Sequence, residues 1–194
     1  MNSICVFCGS SLGNDPIYQQ MAQATGQAIA EQGKTLIYGG GRSGLMGVVA
    51  DSALKAGGRV VGIIPNALVD RELAHKGLTE LYVVDNMHER KTQMSEQADA
   101  FIALPGGAGT LEEIFEQWTW NQLGIHQKPC AFLNVGGFYD DLIKMIQGSV
   151  ARGFSQSRFV DQLIVANDIN EILTAFSTYQ PATPKWMSVD EIQA

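Results

Sequence analysis

A single unit recurs along this chain and leaves few folds open to it: a short apolar run, a turn, and then apolar residues at helical spacing. Its fullest form is 100–122, AFIALPGGAGTLEEIFEQWTWNQ. Phe101 to Leu104 is apolar at every position and stops at Pro105, as a strand buried on both faces does, while Leu111, Ile114, Phe115 and Trp118 follow at the i, i+3, i+4, i+7 spacing of one helix face. The same succession runs from end to end. Apolar runs at 4–8, 36–38, 60–64, 81–84, 130–133 and 163–166 alternate with helical stretches near 16–32, 45–56, 87–98, 139–152 and 169–176. Repeated β-α units with short connections predict an α/β fold, Rossmann-like and doubly wound, with a mostly parallel sheet and helices on both faces.

A chain of 194 residues, 45% of them hydrophobic, suffices for one core, so a single domain is expected over 1–180. A tail follows over 181–194, opening on Pro181 and Pro184, with Trp186 expected to dock it. The formal net charge of −7 disfavours a nucleic acid or an anionic membrane as partner. The start MNSICVFCGS is too polar for a signal peptide, and no apolar run approaches the ~20 residues of a membrane span. A cytoplasmic protein is the expectation.

The turn 106–110, Gly-Gly-Ala-Gly-Thr, joins a strand to a helix whose first N–H groups lack intrahelical partners. Glycines let a ligand approach the main chain, so a phosphate is the natural occupant. Glu113, one helical turn further, would repel a phosphate, which leaves two readings of it. One is chemical. The other is a capping box, Thr110-x-x-Glu113, in which both side chains satisfy helix-end N–H groups.

In doubly wound sheets ligands bind beyond the carboxyl ends of the strands, where the strand order reverses. Three glycine-rich turns lie at that edge: 9–13 with Ser10, 39–44 with Gly40 and Gly41, and 106–110. They are candidates for one shared pocket. The second matches G-x-G-x-x-G literally, but it follows the second strand, and the next strand ends at Ile64-Pro65 without the acid that would hold an adenosine ribose. The helix after the fourth strand opens with Met87, His88, Glu89, Arg90 and Lys91 at the same edge. Taken singly, Arg90 and Lys91 are solvated surface charges; taken with a phosphate turn and a glutamate, they outline a site.

Cys5-x-x-Cys8 has the spacing of a dithiol, but residues three apart on a strand point to opposite faces, so both are read as core thiols. His75, His88 and His126 are scattered, and no metal is expected.

MHERK at 87–91 followed by PGGAGTLEE at 105–113 resembles the LONELY GUY (LOG) family, the cytokinin riboside 5′-monophosphate phosphoribohydrolases long labelled lysine decarboxylases. The similarity continues through CVFCGSS, YGGGRSGLMGVVADSAL, GIIP, HKGLTELYVVDNMHERK and WTWNQLGIHQKP. It implies an N-glycosyl hydrolase that splits an adenine-type nucleoside 5′-monophosphate into base and ribose 5-phosphate, without cofactor, as a homodimer. Residue by residue it makes Arg90 and Glu113 the catalytic pair. Glu72, Arg90, Lys91, Gly106, Gly107, Ala108, Gly109, Thr110, Leu111, Glu112, Glu113 and Thr119 are then expected around the substrate, with Ser10, Gly40, Gly41 and Met87. Two alternatives stay open: a general AMP nucleosidase using the same residues, and a carrier of a phosphorylated cofactor, such as a molybdenum-cofactor carrier.

Overall fold

A strand covered on both sides must be apolar on both, and alternate residues of the central strands do enter two separate cores. The computed structural model describes residues 1–69 and 74–186. Its strands are β1 (Ser3–Phe7), β2 (Thr35–Tyr38), β3 (Val60–Pro65), β4 (Glu80–Val84), β5 (Ala100–Ala103), β6 (Cys130–Leu133) and β7 (Ile164–Ala166). They form one seven-stranded sheet in the order β4-β3-β2-β1-β5-β6-β7, each neighbouring pair parallel. The helices are α1 (Pro16–Glu31), α2 (Gly44–Lys55), α3 (Met87–Gln97), α4 (Ala108–Leu123), α5 (Asp140–Ala151), α6 (Ser157–Val160) and α7 (Ile169–Ser177).

Ile4 and Val6 of β1, with Ala100 and Ile102 of β5, pack against α1, α2 and α7. Cys5, Phe7, Phe101 and Ala103 point the other way, into the core shared with Met94 of α3, Ile114 and Trp118 of α4, and Ile146 of α5. Cys5 and Cys8 fall in opposite cores, as the strand spacing predicts, and burial holds both thiols protonated, well above the usual thiol range.

The predicted runs and helices are all present, with ends within a residue or two. The short helix α6 and two 3-10 turns, Asn66–Leu68 and Val135–Gly137, escape the sequence because they are too short for any periodicity. The chain goes outward from β1 to β4 and then returns to place β5 beside β1. The strand order therefore reverses between β1 and β5. Their two turns face each other there, and the β2 turn is the next one along the edge.

Candidate active site

The three glycine-rich turns are joined by the main chain. The Gly9 N–H donates to the Pro105 carbonyl at 3.1 Å, and the Gly9 carbonyl accepts from the Leu45 N–H at 3.0 Å. Between the first and third turns a cavity of about 320 Å³ is lined by the 9–13 turn with Ser10, by Pro105, Gly106 and Gly107, and by Tyr18, Leu45 and Phe138, with no residue of the 39–44 turn among them. Tyr18 and Phe138 meet edge to face, centroids 5.9 Å apart. Neither side chain was marked by the sequence. Phe138 arrives there because the Asn134 side chain accepts the Tyr139 N–H at 2.7 Å and the Tyr139 hydroxyl donates to the Leu104 carbonyl at 2.6 Å.

α4 begins with Gly107 as its N-cap, a residue with no side chain to satisfy the first N–H groups. Gly107, Ala108 and Gly109 are exposed, so this helix end opens to solvent as an anion-binding terminus does. Gly106 cannot be larger: a Cβ there would lie 2.1 Å from Thr110 Oγ1 and 2.9 Å from the Gly9 nitrogen. The capping box is overturned, since Thr110 is the third residue inside the helix, with 4% of its surface exposed, and not its cap. A reciprocal cap does form, but on α3. The Asn86 side chain accepts the Glu89 N–H at 3.0 Å, while Glu89 accepts from the Asp85 N–H at 3.1 Å.

That cap starts the helix that delivers Arg90, which is 6% exposed and not a surface charge. Its Nη2 lies 3.5 Å from Glu113 Oε1, and its Nη1 faces Met87 Sδ at 3.7 Å. Its Nε is buried with no hydrogen-bond partner among the described residues. The Glu113 side chain is 14% exposed, so the pair is largely withdrawn from water, and neither residue lines that cavity. Burial of this degree strengthens the interaction of both charges with each other and with any ligand.

Lys91 is no solvated charge either. Its ammonium donates to Glu112 Oε1 at 2.6 Å and to Glu116 Oε1 at 2.9 Å, joining α3 to α4 beside the Arg90–Glu113 contact. Burial pulls its pKa down, but the hydrogen bonds it donates to Glu112 and Glu116, with their charges, outweigh that and raise it. Thr119 is exposed and lies three residues beyond Glu116, on the helix stripe that carries Glu112 and Glu116 and roughly 16 Å along the axis from Ala108. Gly40 and Gly41 are buried under the segment after residue 73: the Gly40 carbonyl accepts the His75 N–H at 3.0 Å, and Gly41 bridges Ala74. The Leu111 side chain packs into the core beneath α4, leaving its backbone for the turn. Glu72 lies outside the described residues.

Fold and site together define a doubly wound α/β protein with an open anion turn and a buried arginine–glutamate pair at the reversal of strand order. Residues 46–176 match the family model described as "Possible lysine decarboxylase". A cytokinin riboside 5′-monophosphate phosphoribohydrolase of Rhodococcoides fascians is 48% identical over 174 residues, 89% of this chain and 88% of that protein. The Arabidopsis thaliana enzyme of the same description, LOG2, is 44% identical over 185 residues, 95% of this chain and 87% of its own. The chain belongs to this LOG family. Among solved structures, the molybdenum cofactor binding protein of Rippkaea orientalis shares the fold, with a TM-score of 0.69 at 24% identity, covering 91% of this chain and 96% of that one. The carrier protein MCP of Chlamydomonas reinhardtii does so with a TM-score of 0.70 at 20% identity, covering 92% and 97%.

Proposed function

We propose that this protein hydrolyses the N-glycosidic bond of cytokinin riboside 5′-monophosphates, and of AMP, to release the base and ribose 5-phosphate. The observation that carries the reading is the buried Arg90–Glu113 contact of 3.5 Å, set one turn inside the open helix end of α4, in a chain whose relatives carry that activity in their names. The 5′-phosphate rests on the N–H groups of Gly107, Gly109 and Thr110. Glu113 then lies one helical turn, ~5 Å, further on, level with the ribose. As the base departs, positive charge grows on the anomeric carbon; the Glu113 carboxylate stabilises it and takes a proton from the attacking water. Arg90 orients substrate oxygens through its planar guanidinium and offsets charge on the leaving base. Lys91 serves the reaction by holding α3 against α4. A Schiff-base lysine needs a lowered pKa, and the raised one of Lys91 does not suit that role.

The protein acts as a homodimer in the cytoplasm, in this reading. The exposed stripe with Thr119 then meets the partner subunit's ligand, which fits a family-matched position so far from its own turn. No described helix is long and apolar enough to cross a membrane.

Product analysis with isopentenyl-AMP, AMP and their unphosphorylated ribosides tests the reaction. Base is expected from the monophosphates only, strongest from isopentenyl-AMP, and lost in Glu113→Gln while ribose 5-phosphate still binds. A Glu113→Gln protein as active as its parent sinks the assignment. Preference for AMP makes it a salvage nucleosidase, and retention of nucleotide without cleavage makes it a carrier.

A further inference from the structure

We propose that Gly39, the residue just past β2, is a positioning residue for Arg90. An ideal Cβ on Gly39 would lie 2.0 Å from Arg90 Nη2, 3.0 Å from Cζ and 3.6 Å from Nε, so the guanidinium lies against the bare α-carbon. The backbone does not ask for glycine here. Gly40 and Gly44 in the same turn have φ of 76° and 56°, whereas Gly39 is not among the residues with positive φ. The three atoms nearest a Cβ at 39 all belong to the arginine.

The consequence is confined to that arginine. The clashing atoms are the far end of a long side chain, so a methyl group at 39 is accommodated by moving the guanidinium instead of the sheet. The same Nη2 is the atom 3.5 Å from Glu113, and the same side chain carries the buried, unpartnered Nε. Moving it opens the Arg90–Glu113 contact and redirects the Nε–H, while the α4 turn, on the far side of Glu113, keeps its form. Gly39 thus acts through Arg90 and touches no substrate. The effect on turnover rests on the catalytic reading of Arg90 above; the placement of the guanidinium does not.

The experiment compares the parent, Gly39→Ala, Arg90→Ala and the double variant. Four quantities are read: kcat for base release from isopentenyl-AMP, ribose 5-phosphate affinity by calorimetry, the thermal midpoint, and the Arg90 Nε–H cross-peak, assigned by its loss in Arg90→Ala. In Gly39→Ala the cross-peak shifts, ribose 5-phosphate affinity is kept, and kcat falls about 100-fold, the scale of an ångström-sized misplacement. Added to Arg90→Ala, the Gly39 change costs nothing further in kcat or thermal midpoint, because the two act as one unit. Should Gly39→Ala unfold while the double variant folds, the glycine is still assigned to the arginine. An unshifted cross-peak, losses that multiply in the double variant, or a double variant that fails to fold overturns the proposal. A parent protein that releases no base sinks the catalytic reading instead, and the cross-peak still decides the placement.

Discussion

His126 lies against the Phe101 ring, centroids 5.4 Å apart, and accepts the Lys128 N–H on Nδ1 at 3.2 Å, so its own proton sits on Nε2. That Nε2 is buried with no partner among the described residues. Burial, helped by the nearby Lys128 charge, lowers the imidazole pKa to about 4. The unfolded chain, titrating near the ordinary value of ~6.5, then binds more protons than the folded one between those two pH values. Stability is complete above about pH 6.5 and falls as pH drops towards 4. Urea midpoints at pH 7 and pH 5 should show the loss in the parent and a smaller one in His126→Phe. Tyr139 makes a second prediction at this scale. Its hydroxyl is the donor to the buried Leu104 carbonyl, and Tyr139→Phe should cost about 1 kcal/mol in urea unfolding.

In the proposed function α3 and α4 carry the chemistry, and how each begins and how they are tied places its residues. The Asn86–Glu89 cap gives α3 a defined first turn, and Arg90 and Lys91 follow it at once. Asn86→Ala should lower stability by about 1 kcal/mol, with a matching fall in the thermal midpoint. Lys91 binds two carboxylates of α4, so Lys91→Met leaves Glu112 and Glu116 facing each other. The expected cost is about 1–2 kcal/mol, measurable by denaturant titration, with a lower kcat from a loosened Arg90–Glu113 contact. If Lys91 served only to bind the phosphate, stability would hold and KM alone would rise.

Across the whole molecule the least covered strand is β4, at one edge of the sheet. Leu81, Tyr82 and Val83 are 37%, 40% and 54% exposed, on both of its faces, although parallel strands are ordinarily covered on both. Light scattering should give twice the 21.0 kDa chain mass, and a monomer at micromolar concentration would refute the proposed dimer. Hydrogen exchange should be slowest in β1, β2 and β5 at the centre, and quickest in β4 and β7.

The order of the longer strands and helices, the positions of the three glycine-rich turns and the apolar character of the central strands on both faces were determined by local sequence. Periodicity and glycine positions act over a few residues, and the parallel sheet follows from their repetition. The family motif likewise marked Arg90 and Glu113. Their contact across 23 positions was decided only by the tertiary structure, because it depends on the strand order that brings α3 and α4 together. So were the pairing of Lys91 with Glu112 and Glu116, the arrival of Tyr18 and Phe138 at the cavity, and the reason for a glycine at 39. The difference between Thr110 as a helix cap and as an interior residue was also settled there. A sequence pattern states what a helix start could be; only the packing of the Gly106 turn against Gly9 fixes where α4 begins.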